Sequence, residues 1–587
     1  MSKQIFKKTI DNGTLTLKDE NKEVVLYGWV QKIRDLGGVI FIDLRDRSGI
    51  VQLVIRDTCK DYELASSIKS EYVLKVEGIV GKREAVNKNI PTGEVEVNVS
   101  SVEVLNVSRD LPFVIDNNTT ALEDTRLKYR YLDLRRSDLA NNFKLRHKIM
   151  LVTRNFLDSQ GFLEVETPIL CKSTPEGARD FLVPSRVNKG KFYALPQSPQ
   201  LFKQILMVGG FEKYFQIAKC FRDEDLRSDR QPEFTQIDME MSFVDEENVM
   251  SLTENLIAKM FKEVRGIDIK LPLLRMKWTE AMERFGSDKP DLRFEMEIND
   301  ITNIFKNTEF TVFKNVIDNN GIINCLVVKN EASNFSRKKI DELTDHVKKY
   351  KATGLAYLKF EDEVTGSIKK VISDEEIEEL KKQLKIEKND LVLIVADNDY
   401  LTVKNSIGAL RVKLGKDLNL INEDDYKLLW VVEFPSFEWS DEEGRYMAAH
   451  HPFTSPVATD VDKLKDDKGN CFSRAYDIVI NGYEAGGGSI RIHDGEVQKK
   501  MFEALELTEE DIKNKFGFYV EALQYGTPPH GGIALGLDRL TMLLAGTDNI
   551  RDVIAFPKTT SGSDLMSECP NDVDSEQLKT LGIKVDE

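Results

Sequence analysis

The feature that most constrains the fold of this chain is a run of alternating apolar and polar residues over 233–243. Successive side chains of a strand point to opposite faces of a sheet, so the alternation predicts a β-strand with two unlike faces. One face is predicted to be core: Ile237, Met239, Met241 and Phe243. The other is a polar row: Gln236, Asp238, Glu240 and Ser242. Buried polar groups must be paired or must meet a ligand, so this row is a candidate site.

A charged loop before this strand is the second candidate site. A strand is predicted over 214–222, and it ends in Phe221-Arg222-Asp223-Glu224, while Arg230-Gln231-Pro232-Glu233-Phe234 opens the next strand. An arginine at the end of a strand offers a fork of donors to a phosphate or a carboxylate. The loop 223–230 is dense in charges of both signs, as a loop that covers ATP would be. The alternative is a salt-bridged hairpin.

A glycine-rich segment near the end of the chain is the third candidate. It reads Gly531-Gly532-Ile533-Ala534-Leu535-Gly536-Leu537-Asp538-Arg539. Glycines allow close approach of the backbone and tight packing between strand and helix. Arg539 is expected at a helix start, where the helix dipole and the side-chain charge both favour a polyphosphate.

A helix with one apolar stripe is predicted upstream of these segments. Its apolar residues are spaced four, three and four apart: Leu145, Ile149, Val152 and Phe156. Gly161 is expected to end the helix, and residues 162–168 are expected to form a strand that Pro168 stops.

Residues 1–108 are predicted to form a small β-barrel. Strands are expected over 24–31, 39–45, 49–56, 72–80 and 93–105, with turn residues between them and a helix over 62–69 after the third strand. This is the order of an OB barrel, a fold that often binds single-stranded nucleic acid. An unrelated small barrel is the alternative.

A polar segment and an inserted region complete the organisation of the chain. Residues 109–138 are predicted to be a hinge, whose cations could contact RNA phosphates or pair with local acids. Residues 291–418 are rich in Lys, Glu and Asn and are predicted to be an α+β insertion with a tRNA-facing or structural role. Its strand and helix signals fall at 325–329, 355–360, 374–385, 391–396 and 406–414.

Composition restricts the class of protein. With 587 residues the chain is expected to form three or four domains, and no apolar run approaches the ~20 residues that span a bilayer. The N-terminus does not resemble a secretory signal, and the six cysteines are scattered, without a zinc or disulfide pattern. We therefore expect a cytoplasmic protein with no membrane partner. A net charge of −17 counts against nucleic-acid binding, but the charge of the local surface decides such binding.

In this order, the strand at Pro168, the loop after Arg222 and the segment before Arg539 resemble the three signature motifs of class II aminoacyl-tRNA synthetases. Four further segments resemble the bacterial aspartyl-tRNA synthetase family of subclass b: 172–180, 194–203, 449–454 and 481–491. The resemblance covers nearly the whole chain. It implies a multidomain α+β protein with an OB-fold anticodon-binding domain (1–108), the hinge (109–138), an antiparallel-sheet catalytic domain (139–290 and, with a C-terminal extension, 419–587) and a bacterial-type insertion (291–418).

The resemblance also implies an activity. Such an enzyme activates L-aspartate with ATP to aspartyl-adenylate, releases pyrophosphate, and transfers aspartate to the 3′ end of tRNA(Asp), using Mg²⁺. A homodimer formed through the first motif is expected. The alternatives are an enzyme that also charges tRNA(Asn) and a non-catalytic RNA-binding relative. Leu36 stands where relaxed-specificity members tend to carry His, which favours strict specificity.

Site residues follow from the same resemblance. Arg222 and Arg539 are expected to be catalytic. The residues expected to bind aspartate are Glu176, Ser198, Gln200, Lys203, Arg222, Gln236, Asp238, His450, His451 and Arg491. Those expected to bind ATP are Arg222, Asp223, Glu224, Gln231, Glu484, Gly536, Leu537, Asp538 and Arg539. Asp477 and Glu484 are the expected Mg²⁺ ligands, and Arg34, Phe41, Gln52 and Glu96 the expected anticodon-binding residues.

Two of these assignments have plain structural alternatives. A His-His-Pro sequence is more often a capped turn than a site, although His450 and His451 resemble a loop that closes over aspartate. No third ligand at zinc spacing accompanies them, so they are interpreted as binding groups. The four anticodon-binding residues could equally be ordinary barrel-surface residues. Lys203 and Arg491 supply two cations that suit the side-chain carboxylate of aspartate. This argues against the lysine and asparagine members of the subclass.

Overall fold

A computed structural model describes residues 7–174, 178–224, 226, 229–441 and 443–586. The chain forms two compact units. The first runs to Arg146 and includes Arg551–Asp572, and the second holds the other described residues. The domain boundaries expected from the sequence remain predictions.

The first unit contains a closed barrel of five strands within its described residues, in the order β1-β2-β3-β5-β4. A short helix lies between β3 and β4, so the OB order is confirmed. Inward-pointing residues such as Leu26, Ile42 and Leu53 are fully buried. The elements are β1 (Glu23–Asp35), β2 (Val39–Arg45), β3 (Ile50–Arg56), α1 (Tyr62–Ser66), β4 (Val73–Lys82) and β5 (Val95–Asn106).

The cations of the predicted hinge are used inside the first unit. Asp133 is fully buried, and Arg130 and Arg136 lie 2.9 and 3.1 Å from its carboxylate. Arg130 also donates to the carbonyl oxygens of Arg551 and Ile554. The sequence left two roles open for these cations, contact with RNA phosphates and pairing with local acids. Arg130 and Arg136 pair with a local acid. The helices of this region are α2 (Glu123–Lys128), α3 (Arg130–Asp133) and α4 (Ser137–Ser159).

The elements before the insertion build half of the large sheet of the second unit. In α4, Ile149, Val152 and Phe156 are buried and Leu145 is half-buried, which confirms the apolar stripe. The strand expected over 162–168 covers only two residues. The elements are β6 (Leu163–Glu164), β7 (Leu182–Pro184), β8 (Phe192–Ala194), α5 (Gln200–Val208), β9 (Lys213–Phe221), β10 (Glu233–Ser242), α6 (Glu246–Arg265), β11 (Leu274–Lys277) and α7 (Trp278–Phe285).

Strand β10 shows the predicted two faces, with one exception. Ile237 and Met239 are fully buried on the apolar side, and Asp238 and Glu240 are buried on the polar side. The prediction that Phe243 belongs to the core face is wrong, because Phe243 is 69% exposed. Its φ of 61° turns the backbone out of the strand, so the alternation ends at Ser242.

The inserted region forms a sheet of its own, whose described strands run in the order β12-β13-β16-β14-β15. One face packs against α9 and α11, and the other packs against α8 and α10. Each of the five predicted segments coincides with a strand or a helix, but α11 begins at Tyr400, well before the predicted start at 406. The elements are β12 (Asn299–Asp300), α8 (Thr311–Asp318), β13 (Ile322–Val328), α9 (Arg337–Lys348), β14 (Ala356–Phe360), β15 (Val364–Gly366), α10 (Asp374–Leu384), β16 (Asp390–Asp397) and α11 (Tyr400–Asp417).

The remaining strands complete the large sheet. Its described strands run in the order β11-β17-β20-β21-β22-β10-β9-β6, antiparallel except for the pairs at the two ends. This arrangement sets β10 beside β22, although about 290 residues separate them. The elements are β17 (Leu428–Val432), β18 (Phe437–Ser440), β19 (Arg445–Ala448), β20 (Ala475–Ile480), β21 (Tyr483–Ile490), α12 (Gly495–Ala504), α13 (Glu509–Ala522), β22 (His530–Gly536), α14 (Leu537–Ala545) and α15 (Ser575–Leu581).

Among the described residues, no helix combines the length and the apolar character that crossing a membrane requires. All six cysteines are free thiols.

Candidate active site

A cavity of about 1950 Å³ lies over the polar face of the large sheet. Twelve of the residues expected to bind substrates or metal line it: Ser198, Gln200, Lys203, Arg222, Glu224, Gln236, Asp238, His450, His451, Asp477, Glu484 and Arg491. They come from β10, α5, β20, β21 and the loops around them. Glu176 lies outside the described residues.

The floor of the cavity is a buried cluster of two cations and two anions. Lys203 Nζ lies 2.6 Å from Asp238 Oδ1 and 3.2 Å from Glu240 Oε2. Arg491 donates to the two carboxylate oxygens of Glu240 at 3.0 and 3.3 Å, and to Ser489 Oγ at 2.6 Å. All four charged side chains are at most 6% exposed. Charges this deeply buried persist only when they are paired, as they are here.

The cluster still has donors to spare. Lys203 carries three N–H groups, and its two carboxylate neighbours leave at least one of them available. Arg491 carries five, of which three are used. Spare donors in a buried cluster favour a ligand group that accepts several hydrogen bonds. An ionised carboxylate is such a group, whereas the NH₂ of an amide would face these donors with a donor of its own.

Glu240 belongs to the polar row that the alternation marks as a candidate site, but it is absent from the residues to which the resemblance assigns a role. It contacts both cations of the cluster. Burial would raise the pKa of Glu240, but Arg491 and Lys203 hold it below its usual range. Burial raises the pKa of Asp238, against the opposing effect of Lys203. The anionic form is therefore favoured at Glu240, which keeps Arg491 oriented.

The glycine-rich segment makes room for Glu240. A Cβ placed at Gly532 would lie 2.7 Å from Cδ of Glu240, and it would also overlap the carbonyl oxygen of Met239. A Cβ at Gly531 would instead meet the flexible end of Ile490, at 2.5 Å from its Cδ1. Gly532 is thus required by the close approach of β22 to the Glu240 carboxylate.

Polar atoms without partners converge on the same cavity. Within the described part of the chain, Arg222 Nε, Gln200 Nε2 and Asp238 Oδ2 are buried and have no hydrogen-bond partner. The Arg222 guanidinium stacks on the ring of Phe234, with Cζ 5.1 Å from the ring centroid. Unsatisfied buried groups are costly, so their concentration in one cavity indicates a polar ligand.

Two carboxylates stand together at one side of the cavity. A Cβ at Gly487 would lie 2.6 Å from Asp477 Oδ1 and 3.7 Å from Glu484 Oε1, so both oxygens border one small space. Burial raises the pKa of Asp477 to about 6, the Glu484 carboxylate adds to the rise, and His450 opposes it. Two hard oxygen donors beside a cavity fit Mg²⁺, which usually takes one or two carboxylates together with phosphate oxygens and water. No larger metal-binding cluster occurs among the described residues.

The histidine pair forms a turn at the edge of the cavity. His451 Nδ1 accepts from the backbone N–H of Phe453 at 3.3 Å, which is a capped turn. His450 Nε2 lies 3.9 Å from Asp477 Oδ1, and its ring packs edge-on against Phe434. Both histidines line the cavity.

Six of the residues expected to bind ATP lie outside the cavity lining: Asp223, Gln231, Gly536, Leu537, Asp538 and Arg539. Arg539 is nevertheless bonded to a residue of that lining, since it donates to the carbonyl oxygen of Glu484 at 2.6 Å, and it pairs with Asp229 at 3.2 Å. Leu537 is fully buried, and Asp538 accepts from the backbone N–H of Thr235 at 2.7 Å. The contact of Asp538 holds the start of α14 against β10.

The four residues expected to bind the anticodon lie close together on the barrel of the first unit. Arg34 donates to Gln52 at 3.1 Å, and Gln52 donates to Glu96 at 3.0 Å. The Arg34 guanidinium also lies 5.8 Å from the ring centroid of half-buried Phe41. Burial raises the pKa of Glu96. Leu36 is 71% exposed in the turn that follows β1.

Comparisons with known proteins identify the family. The family model described as class II tRNA synthetases (D, K and N) matches residues 122–560, and the model of the OB-fold nucleic acid binding domain matches residues 24–105. The chain is 54% identical to the aspartate–tRNA(Asp/Asn) ligase of Geobacillus sp. (strain WCH70), over 99% of this chain and 98% of the relative. It is also 54% identical to the aspartate–tRNA ligase of Oceanobacillus iheyensis, over 98% of each.

A solved structure shows the same fold. The asparaginyl-tRNA synthetase of Pyrococcus horikoshii, crystallised with asparaginyl-adenylate, aligns with this chain with a TM-score of 0.60 at 20% identity. The alignment covers 94% of this chain and 99% of the Pyrococcus chain. The chain therefore belongs to the class II tRNA synthetases and, among them, to the family of the bacterial aspartate–tRNA ligases.

Proposed function

We propose that this chain joins L-aspartate to tRNA(Asp) at the expense of ATP. The observation that carries the proposal is the buried cluster of Lys203, Arg491, Asp238 and Glu240, with N–H donors left for a carboxylate. The side-chain carboxylate of aspartate would take these donors. The neutral amide of asparagine would leave them unpaired, and discrimination of this kind can reach ~10⁴–10⁵-fold.

The remaining groups of the cavity would position the reactants. Ser198 and Gln200 stand beside Lys203 and would hold the backbone of the amino acid, with Gln236 and the histidine loop around it. Arg222 would bridge the α-carboxylate of aspartate and the α-phosphate of ATP, because its Nε has no partner in the described chain and its ring stacking fixes its direction. Arg539 would bind the γ-phosphate after its contact with Asp229 opens.

The chemistry would need no protein nucleophile. An oxygen of the α-carboxylate of aspartate attacks the α-phosphorus, the bond from that phosphorus to the oxygen bridging the β-phosphate breaks, and pyrophosphate leaves. The 3′-terminal ribose hydroxyl of the tRNA then attacks the carbonyl carbon of the adenylate, AMP leaves, and the hydroxyl proton passes to a phosphate oxygen of AMP. Arg222 would neutralise the charge that develops in both steps, and positioning would supply much of the remaining acceleration. A Mg²⁺ ion held by Asp477 and Glu484 would neutralise phosphate charge on ATP.

The barrel would read the anticodon. A base could stack on Phe41, with Arg34, Gln52 and Glu96 as hydrogen-bonding partners for base edges; such stacking is worth ~1–3 kcal/mol per base. These residues already form one connected network, which supports a common role.

Assembly and location complete the proposal. Exposed apolar residues around the first motif support a homodimer interface: Leu151, Leu163, Ile169 and Leu170. Six free thiols suit the reducing cytoplasm. Sedimentation of the purified chain would show a dimer mass, and a monomer at micromolar concentration would contradict this part of the proposal.

Charging of purified tRNA(Asp) and tRNA(Asn) with labelled aspartate tests the function. We expect charging of tRNA(Asp) alone. Charging of both would support the alternative of relaxed specificity, which the name of the Geobacillus relative keeps open, and would remove the significance given to Leu36. Charging of neither by a folded protein would refute the proposed activity.

A further inference from the structure

One wall of the active-site cavity is a short segment that has no role in the reaction described so far. It begins directly after α7, and its first four residues, Gly286 to Lys289, all line the cavity. It continues to Asp291, which is buried. A Cβ placed at Gly482, between β20 and β21, would lie 3.0 Å from Asp291 Cβ, so the segment touches that turn. We call residues 286–291 the wall segment.

The turn that the wall segment touches connects the two carboxylates of the candidate magnesium site. Asp477 belongs to β20 and Glu484 to β21, and residues 481 and 482 join these two strands. Asn481 and Gly482 both have a positive φ, of 52° and 81°. Glu484 follows the turn by only two residues, so a displacement of the wall segment would be passed through the turn to the Glu484 carboxylate.

Helix α11 of the inserted region packs backbone to backbone against the start of the wall segment. A Cβ placed at Gly408 would overlap the carbonyl oxygen of Gly286 and would lie 2.8 Å from that of Phe285. Glycine inside a helix is less favourable than alanine, because it loses more backbone freedom on folding. Gly408 is therefore explained by this close approach, which leaves no room for a side chain.

Arg411, about one turn further along α11, holds the end of the wall segment. Its buried guanidinium donates to the carbonyl oxygens of Asp291, Phe294 and Met296 at 3.0, 2.8 and 2.8 Å. Its Cζ also lies 4.9 Å from the ring centroid of Phe285 and 4.0 Å from that of Phe294. One buried side chain thus joins the end of α7, the end of the wall segment and the chain that follows it.

The same face of α11 contacts α7 one and two turns earlier. Lys404, which is fully buried, pairs with Glu283 of α7 at 2.6 Å. The hydroxyl of Tyr400 donates to the same carboxylate at 2.7 Å. Residues 400, 404, 408 and 411 are spaced four, four and three apart, so they lie on one face of the helix.

The opposite face of α11 rests on the sheet of the inserted region. Val403, Ile407 and Leu410 are fully buried there. They belong to one apolar cluster with Leu326 of β13 and Leu393 of β16. The helix is therefore packed on both sides, between the inserted sheet and the wall of the active-site cavity.

We propose that the inserted region supports the ATP side of the active site. Helix α11 fixes the wall segment, and the wall segment holds the β20–β21 turn from which Glu484 projects. Gly408 and Arg411 are positioning residues that act through this segment, and neither lines the cavity. The inserted region thereby contributes to formation of the adenylate, a step that needs no tRNA. This inference rests on the proposed function, which assigns Glu484 to Mg²⁺ and ATP.

Pyrophosphate exchange by full-length variants, measured without tRNA, tests the inference. Gly408→Ala pushes α11 away from the wall segment. Arg411→Lys keeps the positive charge but removes the forked donors and the flat stacking face. Leu380→Ala is the matched control, because it removes buried packing from α10 on the other face of the inserted sheet. Circular dichroism and thermal unfolding establish that each variant is folded.

The Cβ of Gly408→Ala must move by roughly 1 Å to reach ordinary contact, and a misplacement of this size can cost ~10²-fold in rate. We expect kcat/KM for ATP to fall by about 10²-fold in Gly408→Ala and by less in Arg411→Lys. The Mg²⁺ concentration for half-maximal exchange should rise in both. KM for aspartate should change little, because Lys203 and Asp238 lie on α5 and β10. Leu380→Ala should exchange normally.

Normal kcat/KM for ATP in the folded variants would overturn the inference, and Arg411→Lys decides alone if Gly408→Ala does not fold. An equal loss in Leu380→Ala would also overturn it, because any loosening of the inserted region would then have the same effect. A loss confined to kcat/KM for aspartate would do so as well. Absence of exchange in the unmutated chain would refute the proposed function itself, whereas normal exchange in every variant would refute only the role of the inserted region.

Discussion

Replacement of Gly532 by alanine should damage aspartate binding through Glu240, a residue on a neighbouring strand. The new Cβ would overlap Glu240 Oε2 and the carbonyl oxygen of Met239, and it would lie 2.7 Å from Glu240 Cδ. The carboxylate must therefore retreat by at least roughly 0.7 Å before its carbon reaches the 3.4 Å where ordinary contact begins. Glu240 holds Arg491 through hydrogen bonds of 3.0 and 3.3 Å, so its retreat releases the guanidinium. Misplacement of about 1 Å can cost ~10²-fold, or ~2.7 kcal/mol, in rate.

The assay is aspartate- and ATP-dependent pyrophosphate exchange, with each substrate varied in turn. We expect kcat/KM for aspartate to fall about 10²-fold, while KM for ATP changes little. Gly531→Ala is the matched control, since its Cβ meets only the movable end of Ile490 and the carbonyl oxygen of Ser489 at 3.2 Å. Gly532→Ala should also be less stable, by about 1–3 kcal/mol from overpacking. A folded Gly532→Ala protein with normal kcat/KM for aspartate would refute the reasoning.

Three further predictions concern other parts of the molecule. Arg222→Ala should abolish adenylate formation with the fold kept, as judged by exchange and circular dichroism; normal exchange would exclude the proposed bridging role. Phe41→Ala should weaken tRNA charging by ~1–3 kcal/mol in kcat/KM for tRNA and spare aspartate-dependent exchange; an equal decrease of both would show that the two units do not divide the work as proposed. Gly487→Ala should raise the Mg²⁺ concentration needed for half-maximal exchange, because its Cβ would crowd Asp477 Oδ1; an unchanged Mg²⁺ dependence would argue against this metal site.

Much of the fold could be predicted from local patterns. The barrel strands alternate and are separated by turn residues, and the stripe of Ile149, Val152 and Phe156 has helical spacing, so both followed from short-range sequence. Phe243 shows where such reasoning fails. The residue continues the alternation, but its positive φ removes it from the strand, and no local pattern announced that turn.

The site could be predicted only in part. Alternation identified the polar row of β10, and the resemblance supplied Lys203 and Arg491. The bond from Arg491 to Glu240 joins residues 251 positions apart, so the role of Glu240 depended on sheet order, which local periodicity does not encode. The same applies to Gly532, whose packing function appears only once β22 lies beside β10.

The central claim is that the buried cluster selects a carboxylate over an amide. Pyrophosphate exchange by the unmutated chain, measured with aspartate and with asparagine, tests it most directly. We predict that kcat/KM for aspartate exceeds that for asparagine by ~10⁴-fold or more, because asparagine leaves donors of Lys203 and Arg491 unpaired. Comparable exchange with both amino acids would contradict the account.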